Sequence, residues 1–127
     1  MGASVMNDKW QALNAFWNSF GIPAYDENSV PENAVMPYIT YSAVASEFEK
    51  PTALTASIWY MSTSWEEISQ KADQIAQAVS PHKLLPLKDK QYLFIAQGSP
   101  FAQRMRDEND RIRRVYINIM GEYFTRY

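Results

Sequence analysis

Residues 54–79 read LTASIWYMSTSWEEISQKADQIAQAV, and within this stretch the apolar period lengthens from two to between three and four. In the first part Leu54, Ala56, Ile58 and Tyr60 alternate with Thr55, Ser57, Trp59 and Met61, which predicts a strand with one strongly apolar face. Trp59 and Met61 load the other face as well, so both faces are expected to be covered. In the second part Trp65, Ile68, Ala72, Ile75, Ala76 and Val79 fall on one helical face, while Glu66, Lys71, Asp73 and Gln77 turn away. Ser64 and Glu67 have the spacing of a capping box, in which each side chain satisfies a backbone donor at the helix start, and Ser80-Pro81 ends the helix. Small alanines on the buried stripe permit close approach to a sheet.

Working outward toward the N-terminus, Tyr38 to Val44 is rich in β-branched and aromatic residues and reads as a strand. With the strand at 54–61 it makes a hairpin whose long polar tip, Ala45 to Thr52, carries Phe48 and Glu49. Phe48 is either a loose loop residue or a partner contact. Residues 21–37 hold Pro23, Pro31 and Pro37 among acids, asparagines and serine, which predicts an extended connection without an element of its own. From Ser4 to Phe20, Met6, Trp10, Leu13, Trp17 and Phe20 recur at helical spacing and Phe16 widens the stripe; Asn7 or Ser4 serves as cap, and Gly21 with Pro23 as stop.

Outward in the other direction, residues 83–97 read as a strand pair turning at Lys88-Asp89-Lys90, and Gly98-Ser99-Pro100 is expected to break its second arm. Residues 101–110 read as a charged connection or a frayed turn of helix. Ile112 to Phe124 alternates again, with Val115, Ile117, Ile119 and Tyr123 on one face; Gly121 marks a bulge or a bend. The expected fold is α+β: one domain over residues 1–127, a mixed and mostly antiparallel sheet, and two main helices packed on it in the order α-β-β-α-β-β-β.

Composition narrows the function. The chain has 127 residues with 46% hydrophobic and 20% charged content, ordinary values for a globular domain. Aromatic residues make up 14%, more than so small a core holds, which points to surface buried against partners. With no cysteine and only His82, disulfides, thiolate sites and His-based metal cages are excluded. The four glycines stand singly, so no phosphate loop exists. His82, between Pro81 and Lys83, reads as a solvated loop residue, and the pairs Asp26-Glu27 and Glu66-Glu67 as loop and helix-start acids. The expectation is a protein with no catalytic, cofactor-binding or metal-binding residue. No apolar run reaches membrane-span length and the N-terminus lacks a signal-peptide pattern, so a soluble, intracellular origin is expected.

Charge is segregated. All six lysines lie in the first hundred residues, net −4, and all six arginines in residues 101–127, net +2. That sum is too small for a strongly basic nucleic-acid footprint. Arg104, Arg106, Arg111, Arg113 and Arg114 nonetheless fall within eleven residues, interleaved with Asp107, Glu108 and Asp110. Arginine forks suit carboxylates and phosphates alike, and the mixed signs favour ion pairing within the loop or with neighbouring chains over facing DNA or forming a plain solvated surface. The candidate interface is therefore Phe48, Glu49, Arg104, Arg106, Arg111, Arg113 and Arg114.

Met36-Pro37-Tyr38-Ile39-Thr40-Tyr41-Ser42, Ala56-Ser57-Ile58-Trp59-Tyr60, Ser64-Trp65-Glu66-Glu67-Ile68 with Ala72-Asp73-Gln74-Ile75, and Arg113-Arg114-Val115-Tyr116-Ile117-Asn118-Ile119 follow one another along the chain. In that order they resemble the opening strands, central helix and final long strand of the tail terminator, or tail-completion, family of tailed phages and prophages. The resemblance implies a small α+β subunit of a hexameric ring that caps the tail tube, stops its polymerisation and joins tail to head. Its partners would be further copies of itself, the tail-tube protein and the head connector, with DNA passing through the lumen without sequence-specific binding and no membrane involved. It would work in the virion, and in the host cytoplasm during assembly. A neck, head-closure or minor capsid protein of a prophage is the alternative, ahead of a small host enzyme or ligand-binding domain.

Overall fold

A computed structural model describes residues 8–43 and 50–125. Phe48 and Glu49, and the proposed caps Ser4 and Asn7, lie outside the described residues. The elements are α1 (Lys9–Trp17), a 3-10 turn (Asn18–Phe20), β1 (Ala24–Asp26), β2 (Tyr38–Tyr41), β3 (Thr52–Met61), α2 (Glu66–Ala78), β4 (Lys83–Pro86), β5 (Gln91–Met105) and β6 (Ile112–Thr125). The fold is α+β as expected, but the order gains a strand, because Ala24–Asp26 leaves the predicted coil to pair with β2.

The six strands form one sheet in the order β1-β2-β3-β6-β5-β4, curled into a half-barrel. Only β1 and β2 run parallel; the other neighbours are antiparallel. The pairing of β3 with β6, from Thr52 opposite Gly121 to Met61 opposite Ile112, forms the spine of the sheet. Period-two burial follows as expected: Leu54, Ala56, Ile58 and Tyr60 face Ile119, Ile117 and Val115 within one core. Ile68, Ala72, Ile75 and Val79 of the α2 region lie on that same core, each large side chain contributing about 1.5–3 kcal/mol of burial.

α1 packs on the same face through Leu13, Phe16, Trp17 and Phe20, with Trp17 stacked on Tyr41 at 6.4 Å. Trp10 departs from the expected stripe and is 46% exposed. The capping box belongs to α1, not to α2. Asp8 Oδ1 accepts from Gln11 N at 2.8 Å, while Gln11 Oε1 accepts from Asp8 N at 3.0 Å. At α2 the cap is Trp65 without a side-chain bond, and Ser64 Oγ accepts instead from Glu66 N, two residues on, at 3.0 Å. Ser64 cannot reach the N3 donor from a position one residue too early.

Two further expectations change at β5. Gly98-Ser99-Pro100 does not end the strand, and 101–105 is strand, not connection or helix. Register jumps between Gln97, opposite Ile119, and Ala102, opposite Ile117, so four residues of β5 face Asn118 alone. The wide bulge brings Phe101 against the core. A Cβ on Gly98 would sit 2.8 Å from the Asn118 carbonyl, so the chain passes too close there for any side chain. Gly121, by contrast, keeps unbroken register with Ile95 and Thr52 and marks no bulge. It makes room for Leu54, whose Cδ1 would lie 2.5 Å from an added Cβ.

Both helices occupy one side of the sheet, and among the described residues no helix covers the other. Met61, 59% exposed, and the half-buried Trp59 lie there, correcting the expectation that both faces of β3 are covered.

Candidate functional site

Adjacent residues on a strand point to opposite faces, so the β6 pair Arg113 and Arg114 is split across the sheet. Arg114 enters the open face, where its Nε donates to Ser57 Oγ at 3.0 Å and its guanidinium lies 4.8 Å from the Trp59 ring, its cross-strand neighbour. Trp59 Nε1 in turn donates to Thr40 Oγ1 at 2.9 Å, and Tyr38 and Tyr25 continue the aromatic row toward β1. A cleft of about 350 Å³ opens beside this row, with Glu27 and Tyr116 on its walls.

Arg113 turns to the helix side. Its Nη1 donates to the Asp110 carbonyl at 2.8 Å and its Nη2 to the Thr63 carbonyl at 2.8 Å, tying the start of β6 to the turn before α2. The guanidinium lies 5.2 Å from the Trp65 ring, and Arg104 of β5 lies 5.0 Å from the same ring. Two cations on one indole, with Arg106, Asp107 and Asp110 beside them, border a cleft of about 310 Å³. Asp107 is engaged in its own turn, accepting from Asn109 N at 2.9 Å.

The five arginines thus divide by role. Arg113 and Arg114 are half-buried braces, whereas Arg104, Arg106 and Arg111 are exposed and present their charge to solvent. The contacts seen are with carbonyls, a hydroxyl and indole rings, where the sequence favoured pairing with acids. Trp59 and Trp65, which seat the guanidinium groups, were expected in the sheet and on the buried helix stripe. The signal for Trp59 lay in the register of β3 against β6, which no local pattern carries.

The other titratable groups stay apart. His82 is exposed and stacks on Phe94 at 5.1 Å. Asp26 Oδ1 accepts from Asn28 N at 2.9 Å, and Glu66 and Glu67 occupy the first turn of α2. Burial, helped by the negative charge of Glu67, raises the Tyr60 hydroxyl above its ordinary range. Burial alone pushes Tyr123 up to about 12. Among the described residues no three His, Asp or Glu side chains gather as a metal site requires. Among them, too, no helix is long and apolar enough to cross a membrane.

No protein-family model matches the chain, and no curated protein matches it.

Proposed function

We propose that the chain is a structural subunit that works by assembly, as the ring-forming tail terminator of a tailed phage or prophage. The observation that carries this reading is the far end of β5, beyond the stretch that pairs with β4, where Arg104 stands exposed on Trp65 and Arg106 follows it, also exposed. Such a surface suits orienting contacts with another protein, since arginine on an aromatic shelf keeps its fork free at little entropic cost. The uncovered sheet face, with Trp59, Tyr38, Tyr116 and Met61, adds the apolar area that a virion subunit buries against its neighbours. The order of elements from β2 onward agrees with the resemblance, and β1 is an addition to it.

The test is capping of purified tail tubes from a phage that encodes the chain. Wild-type protein should bind tube ends and arrest elongation, seen as a single tube length by electron microscopy. The Arg104→Glu/Arg106→Glu variant should leave tubes growing. Tubes that elongate unchanged with wild-type protein present would remove the tail-terminator reading, and binding to head connectors instead would make it a neck protein.

A further inference from the structure

The neighbours Arg113 and Arg114 use their guanidinium donors differently. Arg113 spends both outer nitrogens, Nη1 and Nη2, on the carbonyls of Asp110 and Thr63. Arg114 is held instead by its inner nitrogen, since Nε donates to Ser57 Oγ at 3.0 Å and Ser57 is itself 4% exposed. The Trp59 indole, 4.8 Å from that guanidinium, is fixed in turn by its bond to Thr40 Oγ1. Among the described residues no acceptor is seen for Nη1 or Nη2 of Arg114. This half-buried fork borders the open-face cleft of about 350 Å³, a volume within the range of small-ligand sites.

We propose that this cleft binds a small organic carboxylate, with its two oxygens on Nη1 and Nη2 of Arg114 and its body against Trp59, Tyr38 and Tyr116. Parallel N–H groups at fixed spacing match a carboxylate, and a guanidinium already oriented by Ser57 and Trp59 has little rotamer freedom left to lose. The aromatic walls supply apolar area for the rest of the ligand. A monoanion suits these walls better than a phosphate dianion. Arg114 is the one cation among the described residues lining the cleft, and the carboxylate of Glu27 offsets it. Glu27 follows β1, and β2 and β3 separate β1 from β6 by about 14 Å at ordinary strand spacing. It therefore lowers the net charge of the cleft without occupying the fork. The site is independent of tail capping, and either can fail without the other.

Titrating isotope-labelled protein with sodium benzoate reads the site directly, through the NMR signals of the Arg114 Nε–H and Trp59 Nε1–H groups. Both should shift and saturate with a Kd of about a millimolar, as one fork and one apolar contact provide. Benzamide, of the same shape without the charge, should bind at least about tenfold more weakly. Arg114→Lys keeps the charge but loses the fork, and should weaken benzoate binding about tenfold as read at Trp59. Ser57→Ala frees Nε while leaving the guanidinium, and should weaken it about threefold. Arg104→Gln, at the other arginine cleft, should leave the affinity unchanged. The backbone amide spectrum confirms that each variant is folded. Benzamide binding as well as benzoate, phenyl phosphate binding more tightly, or unchanged affinity in both the Arg114→Lys and Ser57→Ala proteins overturns the proposal. So does the absence of a saturable shift below about 50 mM benzoate, a Kd too weak for a prearranged fork.

Discussion

At the β1 margin the side-chain amide of Asn18 stands where another strand would pair: its Oδ1 accepts from Ala24 N at 2.9 Å, and its Nδ2 donates to the Ala24 carbonyl at 3.2 Å. At the β5 margin nothing comparable among the described residues finishes the backbone from Ala96 to Met105, where the bulge and Pro100 interrupt the edge but leave Ala102 to Met105 extended. A free strand edge is a template for another chain, and proteins blunt it with prolines, bulges, charges or covering groups. One margin here is closed by a side chain mimicking a peptide group. The other is guarded by a bulge and by charged side chains of both signs, Arg104 and Arg106 with Asp107, Glu108 and Asp110.

The largest expected effect comes from opening the closed margin. Asn18→Ala would strand both backbone groups of Ala24, a residue only 4% exposed, at a cost of about 3 kcal/mol. Urea denaturation measures it, and a loss below about 0.5 kcal/mol would show that water replaces the amide and that the margins are alike. Next, Gly98→Ala drives a methyl into the Asn118 carbonyl at the bulge and should cost about 2 kcal/mol in thermal unfolding. An unaffected variant would mean the bulge is soft and the β5 margin free to straighten.

A third test concerns the β4 end of the sheet, where Tyr123 pairs with Leu93 and is 1% exposed. Its hydroxyl is raised from 10.0 to about 12, so the fold favours the neutral form. The stability this provides is complete below pH 10 and is lost as pH rises through the folded value. At about 1.4 kcal/mol per unit, the loss is bounded near 3 kcal/mol. Tyr123→Phe should flatten the decline between pH 10 and 12; an identical decline in the variant would place the alkaline sensitivity elsewhere. The smallest effect belongs to the open margin. Arg104→Glu/Arg106→Glu should change monomer stability by less than about 0.5 kcal/mol, because both side chains are exposed. A larger loss would make these arginines braces like Arg113.

The spine of the fold was legible because its periods are long and uninterrupted. The alternation read from Leu54 to Met61 covers most of β3 and that from Val115 to Tyr123 most of β6, and the α2 stripe holds over three turns. The margins were not. β1 has three residues, Ala-Tyr-Asp, and exists because Ile39 N donates to the Pro23 carbonyl and Asn18 waits on the other side. Gly98-Ser99-Pro100 carries every local mark of a break, yet pairing with β6 resumes beyond it. Of the candidate site, the arginine positions were visible in the sequence. Their division into braces and exposed charges was not, because Arg104 and Arg113 share the Trp65 ring and differ in that Arg113 also reaches the carbonyls of Asp110 and Thr63, a contact set by the tertiary fold.

The pairing of β3 with β6 also sets a timetable for folding. Met61 meets Ile112 and Thr52 meets Gly121, so the central ladder closes across the whole of α2, β4 and β5. Until β6 has been synthesised, Ile58 has only Ile39 of β2 beside it and Leu54 lacks its partner Ile119, so the core shared with the α2 stripe stays open. Loop closure of that length must precede the contacts that reward it, which places folding in the range of about milliseconds to seconds. A nascent chain would therefore show its apolar faces to other nascent chains on the same message before its own core closes.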